Sequence, residues 1–106
     1  MNINIADSLK DVLGNDYYAL IEEYYESTIA TINSTVDDYQ SLSLEQKINK
    51  VHSLKGSSAN VGAEYIASLF MEMETMLKSG AEFDFNSAID NVKNHLEDSV
   101  AALRAR

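Results

Sequence analysis

The chain has 106 residues, 45 % of them hydrophobic, and carries 8 Lys and Arg against 17 Asp and Glu, a formal net charge of −9. That length and apolar share suit one domain over residues 1–106 with a modest core, and argue against a disordered chain. Cysteine is absent, which excludes disulfides, thiolate metal sites and cysteine nucleophiles, while the negative surplus would repel nucleic-acid backbones and anionic lipid.

Zero Pro and four Gly leave few helix breakers, and the Leu, Ala, Glu, Lys and Met content favours an all-α fold. A short helix over Ile3 to Leu13, with Ile5, Leu9, Val12 and Leu13 apolar, ends near Gly14 and is expected to pack as a lid. From Tyr18 the apolar positions Ile21, Tyr25, Ile29, Ile32, Val36 and Tyr39 step by three and four, which predicts a long amphipathic helix with Asn15 as its N-cap. Ser43 and Gln46 form a capping box that starts a third helix at Leu44. Its apolar face runs through Ile48, Val51, Leu54, Ser58 and Val61 until Gly62 interrupts. Ala63, Ile66, Phe70, Met73 and Leu77 carry the fourth helix to a stop at Gly80. Phe85, Ile89, Val92, Leu96, Val100 and Leu103 carry the last, with Arg104 and Arg106 at its negative pole. Four long helices with short connections predict an antiparallel up-down-up-down bundle with an additional short N-terminal helix.

No apolar run approaches the ~18 residues of a membrane span, and the first residues lack a leader pattern, so a cytosolic location without membrane insertion is expected. An initiating Met1 favours a free-standing protein, and four apolar stripes that fit one core favour a monomer. Neither His52 nor His95 follows a Glu by three residues, so the Glu-x-x-His pairs of di-metal bundles are missing and no metal or other cofactor is expected on this chain. Glu22 and Glu23, Asp37 and Asp38, and Glu97 and Asp98 fall on polar faces and read as solvating charge. The chain has neither a Gly-rich phosphate loop nor a nucleophile elbow. Tyr18, Tyr25 and Tyr39 lie at core spacing and read as packing groups with wet hydroxyls.

The informative segment runs from Val51 to Ala63. At roughly 100° per residue His52 lies about 120° from the centre of its helix's apolar face, so its ring should project at the exposed edge of the bundle. Side chains at i+3 and i+4 lean back over position i, which places Lys55 and Gly56 around the imidazole. A mid-helix Gly loses about 1 kcal/mol against Ala. Access explains it: without a side chain at 56 the flank of the ring is open, and Ala59 keeps the next turn low for an approaching protein. Charge agrees, because residues 43–61 hold three Lys and one Glu, a balance of +2, whereas residues 1–42, 62–83 and 84–106 are each net negative. Lys47 and Lys50 project more than about 120° away on the wheel, leaving Lys55 as the direct partner. His95, followed by Glu97 and Asp98, has an acidic i+3 neighbour in place of a Lys and reads as a flanking surface position. The same letters also fit a helix that ends at Lys55 with Gly56 as its stop, followed by a new helix capped by Ser57 or Ser58.

The run His52-Ser-Leu-Lys55-Gly56-Ser-Ser-Ala-Asn-Val-Gly62-Ala63 resembles the signature of histidine-containing phosphotransfer (HPt) domains, and the expected bundle resembles their architecture over essentially the whole chain. The resemblance implies that His52 is the phosphoacceptor, that Lys55 lies near the phosphoryl group and that Gly56 leaves it accessible. It implies a phosphorelay carrier without kinase activity of its own, whose partner is a response-regulator receiver domain or a hybrid sensor kinase. Phosphoryl transfer needs in-line positioning and charge neutralisation; no clustered carboxylates are expected to face His52, so those parts would come from the partner, which the resemblance implies contributes the phosphorylated Asp and the Mg²⁺. The expected docking surface is Ile48 and Asn49 before the histidine and Lys55, Gly56 and Ala59 after it. Two other classes use similar features: a phosphorylation-independent helical adaptor, and a kinase dimerisation domain, which would need an ATP-binding domain.

Overall fold

The computed structural model describes residues 5–106. Helix α1 spans Ile5–Leu13, α2 Asp16–Asp38, α3 Leu44–Asn60, α4 Glu64–Ser79 and α5 Phe85–Arg104, with one 3-10 turn at Tyr39–Ser41; no strand occurs among the described residues. Helices α2 to α5 close a ring in which each packs on the next and α5 returns to α2, while α1 lies against α2. This is the predicted four-helix bundle with its extra N-terminal helix. The expected start of α1 at Ile3 lies outside the described residues. No helix is long and apolar enough to cross a membrane among those described.

Local chemistry sets the helix ends. The Ser43 hydroxyl accepts from the Gln46 amide nitrogen, and the Gln46 side chain accepts from the Ser43 nitrogen at 2.8 Å, so the capping box forms as predicted. Asp84 caps α5 by accepting from the Ser87 nitrogen. Asn15 does not cap α2: its backbone is already helical and its side chain makes no cap bond, because α1 passes through the Gly14 turn straight into α2.

The core is built on the α5 stripe, whose six predicted positions are all buried. On α2 the buried face is Tyr17, Ile21, Tyr24, Thr28, Ile32 and Thr35, rotated from the predicted stripe, which leaves Tyr18 exposed and Tyr25, Ile29 and Val36 half-buried. The rotation is possible because each polar atom finds a partner, as a buried polar group must. The Tyr17 hydroxyl donates to the Leu103 carbonyl at 2.8 Å, Tyr24 bonds the Ser58 hydroxyl at 2.7 Å, and Thr35 donates to the Thr31 carbonyl at 2.7 Å.

The hairpin of α3 and α4 depends on Gly62. Its φ of +87° lies where side chains are strained, and the Gly62 and Ala63 nitrogens donate back to the Ala59 and Ser58 carbonyls to close the end of α3. A Cβ at Gly62 would stand 2.9 Å from the Ala6 nitrogen, so the first turn of α1 rests on this turn. We predict that Gly62→Ala costs about 1–3 kcal/mol in urea denaturation and loosens α1. Gly56→Ala, where an added methyl meets nothing within 4 Å, should instead gain about 0.5–1 kcal/mol. Equal midpoints for the two variants would contradict this packing.

Candidate functional site

Helix α3 runs unbroken through Lys55 and Gly56 to Asn60, so a helix end at Gly56 is excluded. Val51, Leu54 and Ser58 face the core, and that register turns His52 outward: its side chain is 63 % exposed. From α4 a carboxylate meets it. Glu74 stands one turn after Phe70 and one before Leu77, both buried, and is itself 94 % buried in its side chain. Its Oε2 lies 3.0 Å from His52 Nδ1 and 3.4 Å from Lys78 Nζ, and its Oε1 accepts from Lys55 Nζ at 2.8 Å. A buried carboxylate needs such donors to remain ionised.

This arrangement fixes a tautomer. Facing a carboxylate oxygen, Nδ1 carries the proton and donates it, so in the neutral ring Nε2 holds the lone pair. Nδ1 is thereby tethered to the bundle, and the open edge of the ring is the nucleophilic one. The hydrogen bond from Lys55, helped by those from His52 and Lys78, outweighs burial and holds the Glu74 carboxyl at about 2 instead of the ordinary 4.5.

The predicted residues fall into two groups. His52, Lys55 and Gly56 come together on one flank of α3, and space beside Gly56 is open. Lys55 is bound to Glu74 rather than free, with 29 % of its side chain exposed. Ala59 joins Gly56, Ile5, Ala67 and Met71 in an apolar groove of about 420 Å³, rimmed by Lys55 and Glu64. Asn49 is exposed one turn before His52, whereas Ile48 packs half-buried against the core; neither lines that groove. His95 lies on α5, where its Nδ1 meets the Asn91 carbonyl at 2.8 Å and its ring stands edge-on to Tyr65. Lys47 sits over the Tyr39 ring at 4.2 Å.

Two residues of this cluster were missed in the sequence, Glu74 and Lys78. The expectation that no carboxylate cluster faces His52 overlooked one buried carboxylate. A signal existed: a Glu at i+4 from Phe70 and i−3 from Leu77 sits inside an apolar stripe, where an ionisable group is out of place without partners. Lys78, four residues on, shares its face. Among the described residues no group of three or more His, Cys, Asp or Glu side chains is placed to hold a metal ion.

The Hpt domain family model matches residues 16–106. The chain belongs to the Hpt domain family, the histidine phosphotransfer modules of two-component signalling. Domains of this family carry phosphoryl groups rather than acting as kinases, and interact with receiver domains and kinases. No curated protein and no solved structure matches the chain significantly.

A carboxyl held below its unfolded value stabilises the fold above that value and loses the contribution as pH falls toward the folded one. Stability should therefore decline between about pH 4.5 and 2 in part through Glu74. Glu74→Gln should flatten that part of a pH series of denaturation curves; superimposable slopes would show that Glu74 is not paired in solution.

Proposed function

We propose that this protein carries a phosphoryl group on Nε2 of His52, exchanging it with the aspartyl phosphate of a receiver domain. The observation that supports this best is an exposed imidazole whose Nδ1 alone is held, by a buried carboxylate 3.0 Å away. In the step, the Nε2 lone pair attacks phosphorus, the N–P bond forms, and the P–O bond to the partner's Asp breaks with its electron pair leaving on the Asp carboxylate. No proton has to move. Nδ1 keeps its hydrogen, the ring becomes cationic, and Glu74 stabilises that charge as a carboxylate stabilises an imidazolium. The positioning of the donor and its metal ion fall to the partner, since this chain lends a nucleophile and a surface.

Gly56 has the role of leaving the ring's flank open, and Lys55 that of a cation beside the phosphoryl group. The apolar groove next to Gly56 suits a small, transient interface with a polar rim. Asn49, exposed one turn before the histidine, extends the surface on the other side, while Ile48 supports it from below.

His52→Gln should abolish labelling by a panel of phosphorylated receiver domains with the helical spectrum unchanged, and His95→Gln should label as the parent does. Gly56→Gln should fold yet transfer at least about tenfold more slowly. Undiminished labelling of His52→Gln would remove the role from this residue. Receiver binding that persists without any acid-labile phosphate on the parent protein would instead favour an adaptor.

A further inference from the structure

The Glu74 carboxylate holds one more cation than its charge requires. Lys55 alone, at 2.8 Å and with 29 % of its side chain exposed, would neutralise it. Lys78 adds a second ammonium at 3.4 Å, on the same oxygen that receives His52 Nδ1, and it is far more exposed at 61 %. It is also the sole Lys or Arg among residues 62–83, a segment that holds four Glu. The two lysines therefore differ in kind. Lys55 is half-enclosed and tightly hydrogen-bonded, whereas Lys78 is loosely held on a long flexible stem and shares Glu74 Oε2 with the imidazole.

We propose that Lys78 is a second phosphate-neutralising residue of the His52 site, docked on Glu74 in the unmodified protein and drawn to the phosphoryl oxygens once His52 is phosphorylated. The proposal rests on His52 being the phosphoacceptor. Charge counting carries it. With a neutral imidazole, one carboxylate and two ammonium groups leave the cluster with a single positive charge. Transfer adds a dianionic phosphoryl group and makes the ring cationic, a net change of one negative charge, so the phosphorylated cluster is neutral. Without Lys78 it would start neutral and end negative, on a chain that already carries −9. A phosphoryl group on Nε2 also places new negative charge near Glu74, and a cation able to move between the two relieves that repulsion.

A purely structural role offers a rival account, because Lys78 lies in the last turn of α4, four residues after Glu74. Such a pair affects stability but not the titration of a phosphoryl group. The full chain is phosphorylated on histidine with phosphoramidate, the imidazole nitrogen displacing ammonia from phosphorus, and the titration of the phosphohistidine is followed by ³¹P NMR against pH. A neighbouring ammonium favours the less protonated form and lowers this midpoint. Lys78→Gln should raise it by about 0.5 unit and lower the equilibrium share of phosphate taken from a receiver domain about threefold, the size expected of a partly solvated charge pair. Lys78→Arg should recover most of both, and Lys50→Gln, which removes a lysine elsewhere on α3, should change neither. A midpoint in Lys78→Gln equal to the parent's, or an equal shift in Lys50→Gln, would overturn the proposal. A parent protein that takes no phosphoryl group on His52 would refute the phosphotransfer reading itself.

Discussion

The site depends on one buried carboxylate. Glu74 sits where α4 turns its apolar face toward the core, and an ionised group there is tolerable only if its oxygens are occupied. Three donors from two helices occupy them: His52 and Lys55 from α3 and Lys78 from its own helix. The consequence is geometric. The carboxylate fixes the ring's orientation, settles which nitrogen holds the proton and leaves the other facing solvent. Positioning by packed helices rather than by a loop is what gives such a constellation its precision.

The rest of the bundle serves this pairing. Gly62 lets α3 reverse into α4 so tightly that Ala6 of α1 can rest on the turn, and α1 contributes Ile5 to the groove beside Gly56. The α5 stripe and the buried tyrosine hydroxyls of α2 hold the opposite wall. The result is a helix that holds one exposed imidazole, with open space beside it one turn on at Gly56.

Much of this was legible in the sequence where a single signal dominated. The α5 stripe is purely apolar and was read residue by residue; Ser43 with Gln46, and Gly80, marked helix ends because their chemistry is local. The face of α2 was misplaced because Tyr and Thr are ambiguous. Counting hydrophobicity favours Ile29 and Val36, but Thr28 and Thr35 go inside once their hydroxyls have partners, as the Thr35 bond to the Thr31 carbonyl illustrates. The projection of His52 and the nearness of Lys55 followed from helical periodicity alone. Glu74 and Lys78 did not, because their significance lies in a contact between helices, and a wheel drawn for α3 cannot contain a residue of α4.

The most direct test is the protonation pattern of the His52 ring itself. Long-range ¹H–¹⁵N correlation spectra of the protein near neutral pH, before and after phosphorylation, report which ring nitrogen bears hydrogen and which bears phosphorus. The account predicts hydrogen on Nδ1, with phosphorus later on Nε2 and the Nδ1 hydrogen retained. A ring protonated at Nε2 alone, or phosphorus on Nδ1, would contradict it.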